Sequence, residues 1–259
     1  MLRPNVLVFD IEISQGIYAA YPSKKPQYLS SRQMLADQHW ICASYQWEDA
    51  KRINNVSVLD DMKSFKKNKY DIRDFKWHDF VVVKELYDQI IEADMVVGHN
   101  IKNFDWKKFL AKCIEYDLKP PKEVKFFDTL TMARKAGFSY NDLGFLAKKL
   151  GLENKMEAPD WTAVLMGDAD QIKYTSKYCS ADIPPAMGLY KKFRPYFPTQ
   201  FNHNLLRGDG VKCCPVCGCT EYTHRGKRFT AVGVYQAYEC KDCGKRFQDG
   251  KRLKGVAMR

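Results

Sequence analysis

Two pairs of cysteines near the end of the chain place the strongest constraint on how it can fold. Each pair has the pattern C-x2-C-G, and 22 residues separate Cys217 from Cys240. Each pair holds two thiolates on one tight turn, and four thiolates satisfy a tetrahedral Zn²⁺ ion. A module of about 50 residues has too small a core to fold reliably without such a link. We therefore predict one closed, structural zinc site, formed by Cys214, Cys217, Cys240 and Cys243.

The other five cysteines do not suggest a disulfide framework. Nine is an odd number, and the start of the chain carries acids where an export signal would need apolar residues. Two disulfides therefore remain only an alternative, and we expect a reducing, intracellular, cytoplasmic location without secretion. Cys213 could replace Cys214 as a ligand, although the C-P-x-C-G pattern favours Cys214. We predict that Cys42, Cys113 and Cys179 are buried thiols.

The positive charge of the chain is concentrated at the same end. The net charge is +11, of which residues 1–206 carry 30 basic and 26 acidic side chains, and residues 207–259 carry 12 and 5. The turn-forming Gly208-Asp209-Gly210 then indicates a boundary between two domains, 1–206 and 207–259. A basic module most simply binds a polyanion, usually nucleic acid, although a solubilising tail is the alternative. No apolar run approaches the about 18 residues of a membrane span.

The first 206 residues have the pattern of an α/β domain. Three strand-like runs come first, and helices and short strands then alternate, which predicts a mixed sheet flanked by helices. Pro184 and Pro185 predict that the last helix kinks or stops near Asp182. The predicted strands are Asn5–Glu12, Trp40–Trp47, Asn55–Leu59 and Met95–Gly98, and the predicted helices are Phe80–Ala93, Asp105–Glu115 and Gln171–Ala181.

Two acids end the first predicted strand. Asp10 and Glu12 are two residues apart, so their side chains share one face of the strand. Two carboxylates about 4 Å apart repel by about 4 kcal/mol at an effective dielectric constant of 20. A hard cation such as Mg²⁺ or Mn²⁺ relieves that repulsion. An exposed acidic strand end is the alternative, but the apolar run before Asp10 indicates a buried strand.

Two further groups of polar residues follow. Asp105 opens a predicted helix, where it could also be an ordinary helix cap. Tyr178 and Asp182 are four residues apart on another helix and therefore share a face. Tyr178 alone could equally be a core tyrosine.

In this order the three elements resemble the motifs of the DEDD superfamily of 3′→5′ exonucleases, in its tyrosine-containing (DEDDy) branch. FDIE at Phe9–Glu12 resembles motif I, GHNIKNFD at Gly98–Asp105 motif II, and YCSAD at Tyr178–Asp182 motif III. The sequences of motifs I and III are most similar to those of the proofreading exonuclease domain of family B DNA polymerases. The resemblance spans about residues 5–193 and implies a ribonuclease-H-like fold. The C-terminal module resembles a zinc ribbon.

The resemblance also implies roles for the polar residues. Four carboxylates would hold two Mg²⁺ or Mn²⁺ ions around the scissile phosphate. Asp10 would bridge both ions, Glu12 and Asp182 would complete the first, and Asp105 would serve the second, partly through water. Tyr178 would orient the attacking water.

Asn100 would contact the terminal nucleotide. The implied activity is metal-dependent release of 5′-mononucleotides from a 3′ end, with DNA favoured over RNA. A structure-selective endonuclease on the same site is one alternative, and a nucleic-acid-binding module with a degenerate nuclease domain is another. The ribbon would bind nucleic acid or a protein partner.

Overall fold

The computed structural model describes residues 4–21, 28–61, 79–152, 156–197, 201–206 and 210–255. The chain divides into two compact units, Asn5–Gly188 and Met1–Pro4 together with Leu189–Arg259. The boundary predicted between residues 206 and 207 falls inside the second unit. As a division into functional domains it stays a prediction.

A five-stranded mixed sheet forms the centre of the first unit. Its strand order is β5-β4-β1-β6-β7, in which β1, β4 and β5 pair antiparallel while β1, β6 and β7 pair parallel. A separate two-stranded sheet joins β2 to β3. The strands are β1 (Val6–Ile13), β2 (Ile17–Tyr18), β3 (Met34–Ala36), β4 (Trp40–Trp47), β5 (Asn54–Ser57), β6 (Met95–Gly98) and β7 (Lys125–Asp128).

Helices connect and cover these strands. The predicted mixed α/β architecture is therefore confirmed, and the segment Asp105–Glu115 is a helix with the predicted bounds. Short 3-10 helices occupy Ser31–Gln33, Val58–Asp60 and His203–Leu206. The α-helices are α1 (Phe80–Ile90), α2 (Asp105–Glu115), α3 (Thr129–Ala136), α4 (Leu143–Lys149), α5 (Trp161–Leu165) and α6 (Ala169–Phe193).

The two faces of β1 have different surroundings. Leu7, Phe9 and Ile11 belong to the main hydrophobic core, together with the buried side of α1. Asp10 and Glu12 alternate with them and therefore lie on the opposite face of the strand. The buried strand thus carries its two acids to one face of the sheet.

Helix α6 does not stop near Asp182, one of the two outcomes that its prolines predict; the kink stays a prediction. It continues without a stop from Ala169 to Phe193, with Pro184 and Pro185 inside it. Each proline removes one main-chain hydrogen bond of the helix. Burial of Cys179, Ile183 and Ala186 on both sides of the prolines offsets this loss, since packing provides most of a helix's stability in a protein.

The second unit contains a three-stranded antiparallel sheet of order β10-β9-β8. No helix in the described part of either unit has the length and apolarity of a membrane span. The strands of this sheet are β8 (Tyr222–Phe229), β9 (Gly233–Cys240) and β10 (Arg246–Gly255).

Candidate active site and zinc centre

Three of the predicted acidic residues meet where β1 and α6 come together. One carboxylate oxygen from each of Asp10, Glu12 and Asp182 lies within 4.8 Å of the other two. Asp182 is buried, whereas Asp10 and Glu12 are half-buried. Such a group of hard oxygen atoms fits a divalent cation.

Polar contacts fix the position of α6 against the sheet. The Ser180 hydroxyl lies 3.0 Å from the Ser44 hydroxyl of β4. Asn55 of β5 donates from Nδ2 to Ser44 Oγ at 2.7 Å and to the Ser176 carbonyl at 3.2 Å. Cys179 Sγ lies 3.4 Å from the main-chain oxygen of Asp10. These contacts hold the turn of α6 that precedes Asp182.

The electrostatics of the cluster disfavour ionised carboxylates when no cation is bound. Burial is the largest cause that raises the pKa of Asp10 well above its ordinary value. The negative charges of Asp105, Glu12 and Asp182 raise it further, and the hydrogen bond from Cys179 opposes them. A divalent cation would offset the free-energy cost of ionising these carboxylates, so the donor set fits the predicted metal.

Asp105 lies beside this cluster without belonging to the group within 4.8 Å, as far as the described residues show. It is buried at the first turn of α2, and its charge has the largest Coulombic effect on the pKa of Asp10. Burial raises the pKa of Asp105 to about 7, although hydrogen bonds from the amides of Asp105 and Ile11 oppose the shift. Its predicted role at a second ion stays a prediction.

The other two predicted residues lie on the same elements. Tyr178 is buried on α6, one helical turn before Asp182. Asn100 follows β6 with a φ of 67°, in the left-handed region, where asparagine is tolerated better than most residues. The roles of both residues remain predictions.

Asp128 is a residue of this region that sequence reasoning missed. Its carboxylate accepts hydrogen bonds from the amides of Asn100 (3.1 Å) and Lys102 (3.4 Å), in the loop that precedes Asp105. It also accepts from Leu130 and Thr131, and so caps α3. An Asp placed between an apolar run and a helical segment is a helix-start signal, which could have identified the cap but not its contact with the loop.

The four predicted zinc ligands converge in the second unit. The sulfur atoms of Cys214, Cys217, Cys240 and Cys243 all lie within 4.8 Å of one another. The distances Cys214–Cys243 and Cys217–Cys240 are 3.7 and 3.6 Å between Sγ atoms. Ligands at about 2.3 Å from a tetrahedral Zn²⁺ ion lie about 3.8 Å apart, so the spacing fits this ion.

The backbone around these cysteines forms two matching turns. The amide of Gly218 donates to the Cys214 carbonyl at 2.9 Å, and the amide of Gly244 donates to the Cys240 carbonyl at 3.1 Å. Both glycines have a positive φ, 73° and 71°, which explains the glycine after each cysteine pair.

The remaining cysteines stay outside the ligand group. All nine cysteines lie in the described part of the chain, and none forms a disulfide. Cys213 is buried, and its main-chain amide and carbonyl are both hydrogen-bonded to the side chain of Asn204. Cys42, Cys113 and Cys179 are buried as predicted.

Residues 38–193 match the family model of the RNase_H superfamily. The chain belongs to the RNase_H superfamily. The matched range of this superfamily runs from just before β4 to the end of α6, and so contains Asp105, Tyr178 and Asp182 but neither Asp10 nor Glu12. Membership of the RNase_H superfamily and the acidic cluster together fit a nuclease.

The fold is also that of a known polymerase region. The chain is similar to the family B DNA polymerase from the hyperthermophilic archaeon Pyrobaculum calidifontis, with a TM-score of 0.52 and 17% sequence identity. The match covers 75% of this chain and 25% of the polymerase chain. No curated protein matches the sequence. At this identity the likeness shows the fold alone. The match of residues 38–193 to the superfamily model confirms the predicted ribonuclease-H-like architecture.

Proposed function

We propose that this chain is a metal-dependent 3′→5′ exonuclease that hydrolyses nucleic acid, preferably DNA, to 5′-mononucleotides. The observation that carries the proposal is the convergence of Asp10, Glu12 and Asp182 within 4.8 Å, from a strand and a helix far apart in sequence. Membership of the RNase_H superfamily supports a nuclease. The direction of cleavage rests on the resemblance of the three motifs to DEDDy exonucleases.

The four acids would hold the catalytic cations. Asp10, Glu12 and Asp182 supply the oxygen atoms that already lie together, and Asp105 adds a buried carboxylate beside them. Two Mg²⁺ or Mn²⁺ ions, when bound, supply activation of a water molecule and neutralisation of charge on the scissile phosphate and leaving group.

Tyr178 would orient the attacking water through its hydroxyl. Its position one helical turn from Asp182 places both side chains on the same face of α6. We expect Tyr178→Phe to lower the turnover number at least ten-fold while leaving cation affinity close to that of the wild type, because orientation of a reactant is lost and no ligand is removed.

The test uses 5′-labelled single-stranded DNA, duplex DNA and RNA, each incubated with the protein and Mg²⁺ or Mn²⁺. A 3′→5′ exonuclease gives a ladder of shortened labelled strands and releases 5′-mononucleotides. Asp182→Asn should abolish the ladder. Asp170→Asn, an identical change at an exposed acid of the same helix, should not.

A circular single strand separates the proposal from its closest rival. An exonuclease leaves the circle intact because it needs an end, whereas an endonuclease linearises it. A cut circle, or intact linear strands under all cation conditions, would contradict the proposed activity.

A further inference from the structure

The zinc-binding unit contains a cavity that the proposed nuclease chemistry does not use. Its volume is about 460 Å³, within the range of about 300–1,000 Å³ that is usual for ligand sites. It lies beside the three-stranded sheet, and residues of β8, β9 and β10 form one wall. The four zinc-binding cysteines do not line it, although Cys213 does.

Aromatic rings form this wall. Phe247 and Tyr238 are directly opposite in the β10–β9 register, so their side chains share one face of the sheet. Their ring centroids are 5.6 Å apart in a stacked arrangement. Tyr222 completes the group at 4.9 Å from Tyr238 and 5.8 Å from Phe247. Rings that pack on one another and also border a cavity offer a rigid apolar surface to a planar ligand.

Two oppositely charged residues, Lys212 and Asp249, also line this cavity. Lys212 forms an ion pair with Asp249, and the Tyr238 hydroxyl lies 3.5 Å from the same carboxylate. The Lys212 hydrogen bond is the main reason why the pKa of Asp249 is lowered, so this carboxylate acts only as a hydrogen-bond acceptor. The Lys212 side chain remains 56% exposed. The cavity therefore combines an aromatic wall, a fixed acceptor and an accessible cation.

We propose that this cavity binds one unpaired base of a single-stranded nucleic acid, with Lys212 placed to contact an adjacent phosphate. Stacking on aromatic rings beside a positive charge is the usual way in which proteins hold single strands. The net charge of +7 in residues 207–259 favours a polyanion over a neutral heterocycle. The inference rests on the proposed function, because it takes nucleic acid as the ligand of the whole chain.

The experiment measures binding of the full, zinc-loaded chain carrying Asp182→Asn, so that strands are not consumed. The probes are a fluorescein-labelled single-stranded DNA and a matched strand of abasic sugar-phosphate units. Phe247→Leu should weaken binding of the base-containing strand by about 5- to 20-fold and leave binding of the abasic strand within about two-fold, since only stacking is lost. Phe229→Leu is the matched control, since Phe229 is a 74% exposed ring of the same sheet outside the cavity.

Equal effects of Phe247→Leu on both probes, or a larger effect of Phe229→Leu, would overturn the proposal. Zinc content equal to that of the parent chain establishes that each variant is folded. A second measurement needs no substitution at the wall: photo-crosslinking of a 5-iodouracil-containing strand should label Tyr222, Tyr238 or Phe247. Crosslinks confined to other residues would contradict base binding at this site.

A free 5′-mononucleotide carries the same base and phosphate groups and could occupy the cavity in place of a strand. It should displace the strand only at concentrations far above the dissociation constant of the strand, and displacement at comparable concentrations would assign the cavity to free nucleotide instead.

The outcomes also separate this inference from the proposed function. If the wild-type protein cleaves DNA but Phe247→Leu does not weaken strand binding, only the inference about the cavity is contradicted. If binding depends on bases but the wild-type protein cleaves no strand, only the proposed nuclease activity is contradicted.

Discussion

At the scale of single residues, Asp128 links the stability of the fold to the candidate site. One carboxylate accepts hydrogen bonds from two amides of the loop before Asp105 and from two amides at the start of α3. The same residue also lies close enough to raise the pKa of Asp105. Asp128 therefore acts as a positioning residue for Asp105 and Asn100.

We predict that Asp128→Ala lowers both stability and nuclease activity. Loss of the cap should cost about 1–2 kcal/mol of the free energy of unfolding, and the loop that leads to Asp105 loses its anchor. Asp160 is the matched control, because it caps α5 through the amides of Thr162 and Ala163 and has no contact of this kind with the loop. Urea denaturation should show a loss of stability in both variants, larger in Asp128→Ala, whereas cleavage assays should show a loss of activity only in Asp128→Ala.

At the scale of elements, a buried ion pair joins three parts of the first unit. Asp79, fully buried before α1, accepts a 2.9 Å hydrogen bond from the Trp40 amide of β4. It also accepts from Lys112 Nζ of α2 at 2.7 Å and from the Tyr116 hydroxyl that follows this helix. Burial raises the pKa of Asp79, and Lys112 is the first of the groups that oppose this shift.

Removing Lys112 should leave an uncompensated buried carboxylate. We predict that Lys112→Met lowers the free energy of unfolding by about 3–5 kcal/mol at neutral pH. Lys122→Met, which removes an exposed partner of Asp94, should cost no more than about 1 kcal/mol. Urea denaturation measures both differences.

The loss of unfolding free energy caused by Lys112→Met should become smaller as the pH falls. A carboxylic acid whose pKa is raised by folding favours the folded state at low pH and loses this contribution as pH rises. Without Lys112 the pKa of Asp79 rises further, so the difference from the wild type should shrink as pH falls through that pKa. A difference that grows on acidification would contradict the assignment.

The prolines of α6 allow a second test at this scale. Pro184→Ala should restore a helical hydrogen bond and raise the free energy of unfolding by about 1–3 kcal/mol. Pro120→Ala, at an exposed position in the loop before β7, should instead lower it by about 0.4–1 kcal/mol through the entropy of the unfolded chain. Thermal unfolding that moves both variants in the same direction would show that Pro184 is not strained in the helix.

The elements also show how far the sequence alone can lead. Apolar runs in the sequence predicted strands β1, β4 and β6, and helical periodicity predicted α2. These predictions succeeded because in these segments the local sequence pattern agrees with the burial of the side chains. The uninterrupted α6 could not be predicted, because its stability depends on packing across distant residues, which outweighs the local effect of Pro184 and Pro185. The loop contacts of Asp128 were missed for the same reason, since they join residues 26 and 28 positions apart.

At the scale of the whole molecule, the net charge is distributed unevenly along the chain. Residues 1–206 have a net charge of +4, as the difference of 30 and 26, and residues 207–259 have +7, as the difference of 12 and 5. The three clustered acids and the four clustered cysteines offer different ligand atoms to a metal, hard oxygen atoms in one case and soft sulfur atoms in the other. The two sites should therefore lose their metals independently.

We predict one tightly held Zn²⁺ ion per chain, whose loss unfolds the module without removing the acidic cluster. Cys243→Ser leaves three thiolates and should reduce the zinc content measured by mass spectrometry well below one equivalent. Cys219→Ser is the matched control, because Cys219 comes directly after the turn of Cys214 and Cys217 but lies outside the ligand group. Full zinc retention in Cys243→Ser, or equal loss in both variants, would contradict the four-cysteine site.

The unbroken α6 has a practical consequence for dividing the chain. The division between the two units falls at Gly188 and Leu189, but the helix that carries Asp182 continues to Phe193. A protein shortened at Gly188 would end inside this helix, and the hydrogen bonds of its last turns would be lost less than two turns beyond Asp182. A separately expressed nuclease domain should therefore end beyond Phe193, so that fraying of a new terminus stays away from the acidic cluster.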